Sequence, residues 1–186
     1  MKGLKAVMAM GAAAAVLAAC GPAAEGTAAA SARPRTFSAP IYDAQGAEVG
    51  TATFTQMGRD SVRLVANATR MPAGQHGIHL HSVGRCEGPG FQTAGPHLNP
   101  TNRQHGLRNP QGPHLGDMPN LTVAAGGTGR SEWTFAGSLT PGTAPVFDAD
   151  GTALVIHATA DDQMTDPAGN SGARIACAVI AAPTAG

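Results

Sequence analysis

The chain has 186 residues, enough for one domain built around a single core. Only 13% of them are charged, while 25 are Gly and 14 are Pro, a balance that disfavours long surface helices and favours short strands joined by turns. The formal net charge is zero, so nothing argues for a nucleic-acid partner and none is expected.

Lys2 and Lys5 precede an apolar stretch, residues 7–17, rich in Ala and Met, which reads as the positive and apolar regions of a secretory signal. The stretch is too short to span a bilayer comfortably, and no stop-transfer pattern follows it. It ends in Leu17-Ala18-Ala19-Cys20-Gly21, which is similar to a bacterial lipoprotein cleavage box. Residues 1–19 are therefore expected to be a signal peptide, with Cys20 the lipidated first residue of the mature chain. The expected location is the periplasm, tethered to a bacterial membrane, and Gly21 in place of Asp favours the outer one. Residues 20–35 have no apolar periodicity and are expected to form a flexible tether ahead of a domain over 36–186. Without the leader no lysine remains, and 10 basic residues (12 − 2) face 12 acidic ones. Of three cysteines, setting Cys20 aside leaves Cys86 and Cys177 as an even pair; in an oxidising compartment a disulfide between them is expected.

From Thr36 onward the chain reads as short strands. Residues 51–55 alternate polar and apolar, as a half-buried strand does. Val62, Leu64 and Ala66 then share one face, followed by Ile78 and Leu80, by Trp133 and Phe135, and by Leu154 and Ile156. Residues 173–181 form a continuous apolar strand candidate. Residues 82–120 are dense in Gly, Pro, Asn and His without periodicity, and a loop that long inside a domain implies a task. The expected architecture is all-β, a sandwich or barrel.

All seven histidines lie between His76 and His157. In His79-Leu80-His81 the two rings project from the same side of a strand, while Ile78 and Leu80 point to the other side and into the core. By the same alternation Leu154 and Ile156 go inward and His157 faces out. A His-x-His pair alone is a weak signal, since it also occurs in cupins and metallo-hydrolases. The long loop adds His97, His105, His114 and Asp117, a complete four-ligand set for tetrahedral zinc with no open position.

At these residues the chain closely resembles the Cu/Zn superoxide dismutases. The resemblance runs through Gln75-His76-Gly77-Ile78-His79-Leu80-His81, Gly95-Pro96-His97-Leu98-Asn99-Pro100, His105-Gly106, Pro113-His114-Leu115-Gly116-Asp117, Val155-Ile156-His157 and residues 169–177, GNSGARIAC. It implies a Greek-key β-barrel or sandwich with long metal-binding and active-site loops. It implies one copper held by His79, His81, His97 and His157, and one zinc held by His97, His105, His114 and Asp117, with His97 bridging the two. Asp161 would link a copper ligand to a zinc ligand, and His76 would brace the barrel near the copper. Arg174 would attract and orient superoxide, which is disproportionated to oxygen and hydrogen peroxide by Cu(II)/Cu(I) cycling, His97 taking part and zinc tuning it. The segment between Asp162 and Gly172 is short and holds no lysine, so steering of the anion is expected either to be weaker, with Arg174 alone, or to come from Arg85, Arg103 or Arg108. A homodimer is one assembly this family allows. The competing reading is a periplasmic copper-binding carrier lipoprotein without turnover, for which a Met cluster would be expected; the seven methionines form none.

Overall fold

The computed structural model describes residues 35–139, 146 and 148–180. The expected signal peptide, Cys20 and nearly all of the tether lie outside the described residues, as does Ala181.

Nine strands form in chain order: β1 (Thr36–Asp43), β2 (Glu48–Gln56), β3 (Ser61–Ala68), β4 (Gly74–His76), β5 (Ile78–His81), β6 (Leu121–Val123), β7 (Gly129–Ala136), β8 (Thr152–His157) and β9 (Arg174–Ile180). Alternation explains the first of them. Ala52 and Phe54 on β2, and Val62, Leu64 and Ala66 on β3, are buried, while the residues between them are only partly covered. A single 3-10 turn, Gln92–Ala94, is the one helical element among the described residues.

The strands make one sheet in the order β4-β6-β7-β3-β2-β1-β9-β8-β5, and every pairing is antiparallel. The two edge strands, β4 and β5, are separated in sequence by Gly77 alone. Such a sheet can only curl until its edges meet, which gives a nearly closed barrel and leaves little free edge. Connections β3 to β4 and β7 to β8 pass over intervening strands instead of joining neighbours, the Greek-key feature. Ile41, Phe54, Leu64, Ile78, Leu80, Leu121, Leu154, Ile156 and Ile180 are among the side chains that fill the interior, each at most 1% exposed.

One expectation needs refining. The face of β8 opposite Leu154 and Ile156 is not open to solvent: Ala153, Val155 and His157 are buried as well. A second, smaller cluster covers it, made of Phe91, Ala94, Ala153, Val155 and Cys177, with Cys86 packed against it. The expected disulfide is present between Cys86 and Cys177, with Cα atoms 5.7 Å apart, and fastens this part of the long loop to β9. Residues 82–120 indeed run as one long connection from β5 to β6, folded over the outer face of β5 and β8.

Candidate metal centre

The site is built where the long loop zips onto the edge of β5. Ser82 N donates to Pro96 O (2.9 Å), Leu98 N to Leu80 O (2.8 Å) and Leu80 N to Gly116 O (2.9 Å). These bonds set His97 opposite His81 and Asp117 opposite His79. On the other side β8 pairs with β5, and a register shift at its end turns out His157. The rings of His79, His81, His97 and His157 consequently meet, with centroids of His79 and His97 4.0 Å apart and of His79 and His157 4.8 Å apart.

In each of these four rings one nitrogen is engaged and the other is not. His79 Nε2 donates to Asp161 Oδ2 (2.7 Å), His81 Nδ1 to Gly95 O (2.8 Å) and His157 Nδ1 to Gly172 O (3.1 Å), while His97 turns Nδ1 toward Asp117. The opposite atoms, His79 Nδ1, His81 Nε2, His97 Nε2 and His157 Nε2, are buried and have no hydrogen-bond partner. They lie within 4.8 Å of one another. A buried acceptor left unsatisfied costs about 1–3 kcal/mol, so four converging ones mark the place of a cation. Burial also keeps the rings neutral, as ligands must be: it is the main cause lowering His79 to about 3 and His157 to about 4, and it lowers His97 as well.

The second cluster surrounds one carboxylate oxygen. Asp117 Oδ1 lies 3.0 Å from His105 Nδ1, 3.1 Å from His97 Nδ1 and 3.3 Å from His114 Nδ1, and the Nδ1 atoms of His97 and His114 are 3.4 Å apart. With ligands about 2.0 Å from a central ion, the edges of a tetrahedron measure about 3.3 Å, so these spacings suit a closed four-ligand metal site. Asp117 Oδ2 accepts from the N–H groups of Gly106 (2.8 Å) and His114 (2.9 Å), which leaves Oδ1 for the cluster. Burial opposes the charge on Asp117, but the hydrogen bonds from His105, His114 and His97 outweigh it and hold the carboxyl well below the usual range. The residues of both expected ligand sets thus come together, with His97 common to the two.

Asp161 joins the clusters. It accepts from His79 Nε2 through Oδ2, and His105 Nε2 lies 3.0 Å from its Oδ1. Such carboxylates fix ring orientation and tautomer. Gly169, at φ +61°, closes over this carboxylate so tightly that a Cβ there would collide with Asp161 Oδ1. His76 lies between two carbonyls, Nδ1 2.8 Å from His157 O and Nε2 2.9 Å from Pro72 O, and so ties the backbone at His157 to that at Pro72.

Arg174 opens β9 and is half-buried beside the four-nitrogen cluster. Its Nη1 donates to Phe91 O and its Nη2 to Gly95 O, both at 2.8 Å. Gly95 O is the same oxygen that accepts from His81 Nδ1, so the guanidinium and a cluster ring are fixed by one atom. Desolvation lowers the arginine from its ordinary value, yet a guanidinium stays charged. Of the other arginines named from sequence, Arg103 braces the loop internally through Gly112 O, Arg108 binds Asp162 O, and Arg85 is exposed.

Two contributors were not legible in the sequence. Asn120 clamps the backbone of Asp161 reciprocally, Asp161 N donating to Asn120 Oδ1 (2.8 Å) and Asn120 Nδ2 to Asp161 O (2.9 Å). Asp166 accepts the N–H of His105 at 2.6 Å. Neither belongs to a motif of ligands, and only the docking of two distant segments gives them a partner.

A family model described as copper/zinc superoxide dismutase (SODC) matches residues 48–180. The chain is 38% identical over 144 residues to "Superoxide dismutase [Cu-Zn] 1" of Aquifex aeolicus, covering 76% of this chain and 85% of that one. It is 42% identical over 121 residues to a superoxide dismutase-like protein of Bacillus subtilis, covering 64% and 61%. The crystal structure of a superoxide dismutase-like protein from Bacillus subtilis superposes with a TM-score of 0.72 at 36% identity, covering 77% of this chain and 97% of that one.

Proposed function

Since the chain belongs to the copper/zinc superoxide dismutase family, we propose that it disproportionates superoxide to oxygen and hydrogen peroxide at the four-nitrogen cluster. The observation that carries this reading is the set of four buried, unpartnered ring nitrogens converging beside Arg174, one of them on a histidine shared with the tetrahedral cluster. One relative bears only the name superoxide dismutase-like, so membership alone does not decide turnover; what supports turnover here is the full set of candidate ligands.

His79, His81, His97 and His157 would hold copper, and His97, His105, His114 and Asp117 would hold zinc. Bound copper supplies one-electron exchange with the substrate, which zinc, having no redox chemistry, does not. The remaining tasks fall to the chain. Arg174 draws in a small anion and orients it, because its charge is permanent and two backbone carbonyls fix its plane. His97 Nε2, when it is not a ligand, holds a proton for the peroxide product, and water supplies the second. Nδ1 stays turned to Asp117, which keeps the ring in place while Nε2 changes its partner.

His97→Ala should lower kcat/KM for dismutation by about 10²–10⁴-fold, the usual range for a lost positioned proton donor. Full activity in a His97→Ala protein carrying both metals would contradict the role given to this ring.

Export and lipidation at Cys20 form part of the same proposal. They are supported by the leader pattern and by a disulfide, a bond found chiefly in oxidising compartments. Cells fed labelled palmitate should mark the wild-type chain and not Cys20→Ala; label in both would refute the anchor.

A further inference from the structure

His105 is held from three directions. Its ring faces Asp117 through Nδ1 and Asp161 through Nε2, and its backbone N–H donates to Asp166 Oδ1 at 2.6 Å. The same oxygen of Asp166 lies 3.8 Å from His114 Nε2. His114 turns Nδ1 into the tetrahedral cluster, so its ring N–H sits on Nε2, toward Asp166. One carboxylate oxygen therefore addresses two of the four cluster members.

The segment carrying Asp166 is docked there by backbone contact. Arg108 N donates to Gln163 O (3.0 Å), and Gly106, at φ +108°, packs against residues 163 and 164 so closely that a Cβ would collide with Gln163 O. Asp162 organises the segment itself, accepting from the N–H groups of Met164 (2.9 Å) and Thr165 (2.8 Å) and from the Asn170 side chain (2.9 Å). Asp166 is half exposed and lines a cavity of 560 Å³. His97 and His114 also line it, and at 6% each they are the most exposed members of the tetrahedral cluster.

We propose that Asp166 is a positioning residue for the tetrahedral cluster, a latch that slows the exchange of zinc through this cavity. The inference rests on the reading that His97, His105, His114 and Asp117 hold zinc. By fixing the His105 backbone and pulling on the outer face of His114, Asp166 keeps both rings turned inward. The copper side is untouched, because Asp166 contacts neither His79, His81 nor His157 among the described residues.

The experiment is the rate at which the fully metallated protein gives up zinc to a coloured zinc chelator, with copper content followed in the same samples. Asp166→Ala should release zinc about tenfold faster than wild type, the lower end of the usual effect of an outer carboxylate on metal affinity, with copper retained. Asp166→Asn, which keeps an oxygen for the His105 N–H but carries no charge, should fall between. Asp162→Ala is the comparison: it loosens the segment that carries Asp166 but leaves the Arg108 and Gly106 contacts that dock it, so it should speed release less than Asp166→Ala does. Wild-type release from both Asp166 variants would overturn the proposal, as would Asp162→Ala matching Asp166→Ala, since loop order alone would then explain the effect. A wild-type chain that takes up no zinc would instead overturn the reading of the cluster beneath it.

Discussion

Each of the four converging histidines has its tautomer set by a protein oxygen, and those oxygens come from scattered places: Asp161, Gly95, Gly172 and Asp117. Asp161→Asn, which removes the charge bridging His79 and His105, should weaken retention of both metals by about 10- to 100-fold in chelator competition; unchanged affinity would contradict the linking role. The rings also set how the metal-free protein responds to pH. Burial lowers His79 to about 3 and His157 to about 4, and lowers His97 too, so the unfolded chain binds more protons once pH drops below the ordinary imidazole value of 6.5. Stability from these groups is present above 6.5 and lost as pH falls toward their folded values. His105 behaves oppositely: burial lowers it, but the hydrogen bonds to Asp117 and Asp161 prevail and raise it to about 9, so its contribution is present below 6.5 and lost as pH rises toward 9. The melting temperature of the metal-free protein should peak near the imidazole value and fall more steeply on the acid side; a flat profile there would count against neutral, buried rings. The two candidate ligand sets were legible, because His-x-His places two rings on one face and because the loop motifs resemble a known family. Asn120 and Asp166 were not, since a carboxylate or amide that binds a backbone N–H from a distant segment leaves no pattern in its own neighbourhood.

At the level of elements, β5 and β8 do two jobs with opposite faces. Ile78, Leu80, Leu154 and Ile156 anchor them in the core, which fixes the register that presents His79, His81 and His157. Alternation made that division readable from sequence. It could not show that the outer face of β8 is itself buried, because the cover comes from Phe91 and Ala94, which sit in a segment without periodicity. The Cys86–Cys177 bond holds that cover to β9, close to Arg174 and to the carbonyls of Phe91 and Gly95 that aim it. Replacing both cysteines by serine should cost up to about 4–5 kcal/mol in denaturant unfolding, the chain-entropy value for a loop of this size. The same variant should lose catalytic efficiency more than metal content, because the guanidinium loses its fixed plane before the rings lose theirs. A loss of copper in step with activity would place the effect at the ligands instead.

The described residues form a barrel whose seam lies at Gly77, with the 82–120 loop folded over one flank and a short lysine-free segment, residues 161–172, joined to the clusters through Asp161. The all-β class followed from short alternating strands and turn-rich composition, but neither the choice of barrel over sandwich nor the strand order did, because sheet neighbours such as β3 and β7 are far apart in sequence and nothing local marks their pairing. The described residues hold no lysine, and the charge of Arg174 does not fade when alkaline pH would discharge a lysine. The decisive measurement is copper and zinc content per chain, taken on the same sample as the rate of superoxide dismutation. One copper and one zinc with rapid dismutation is the expected result. Full loading with both metals and no dismutation would contradict it, and would leave a protein that holds copper without turning over superoxide.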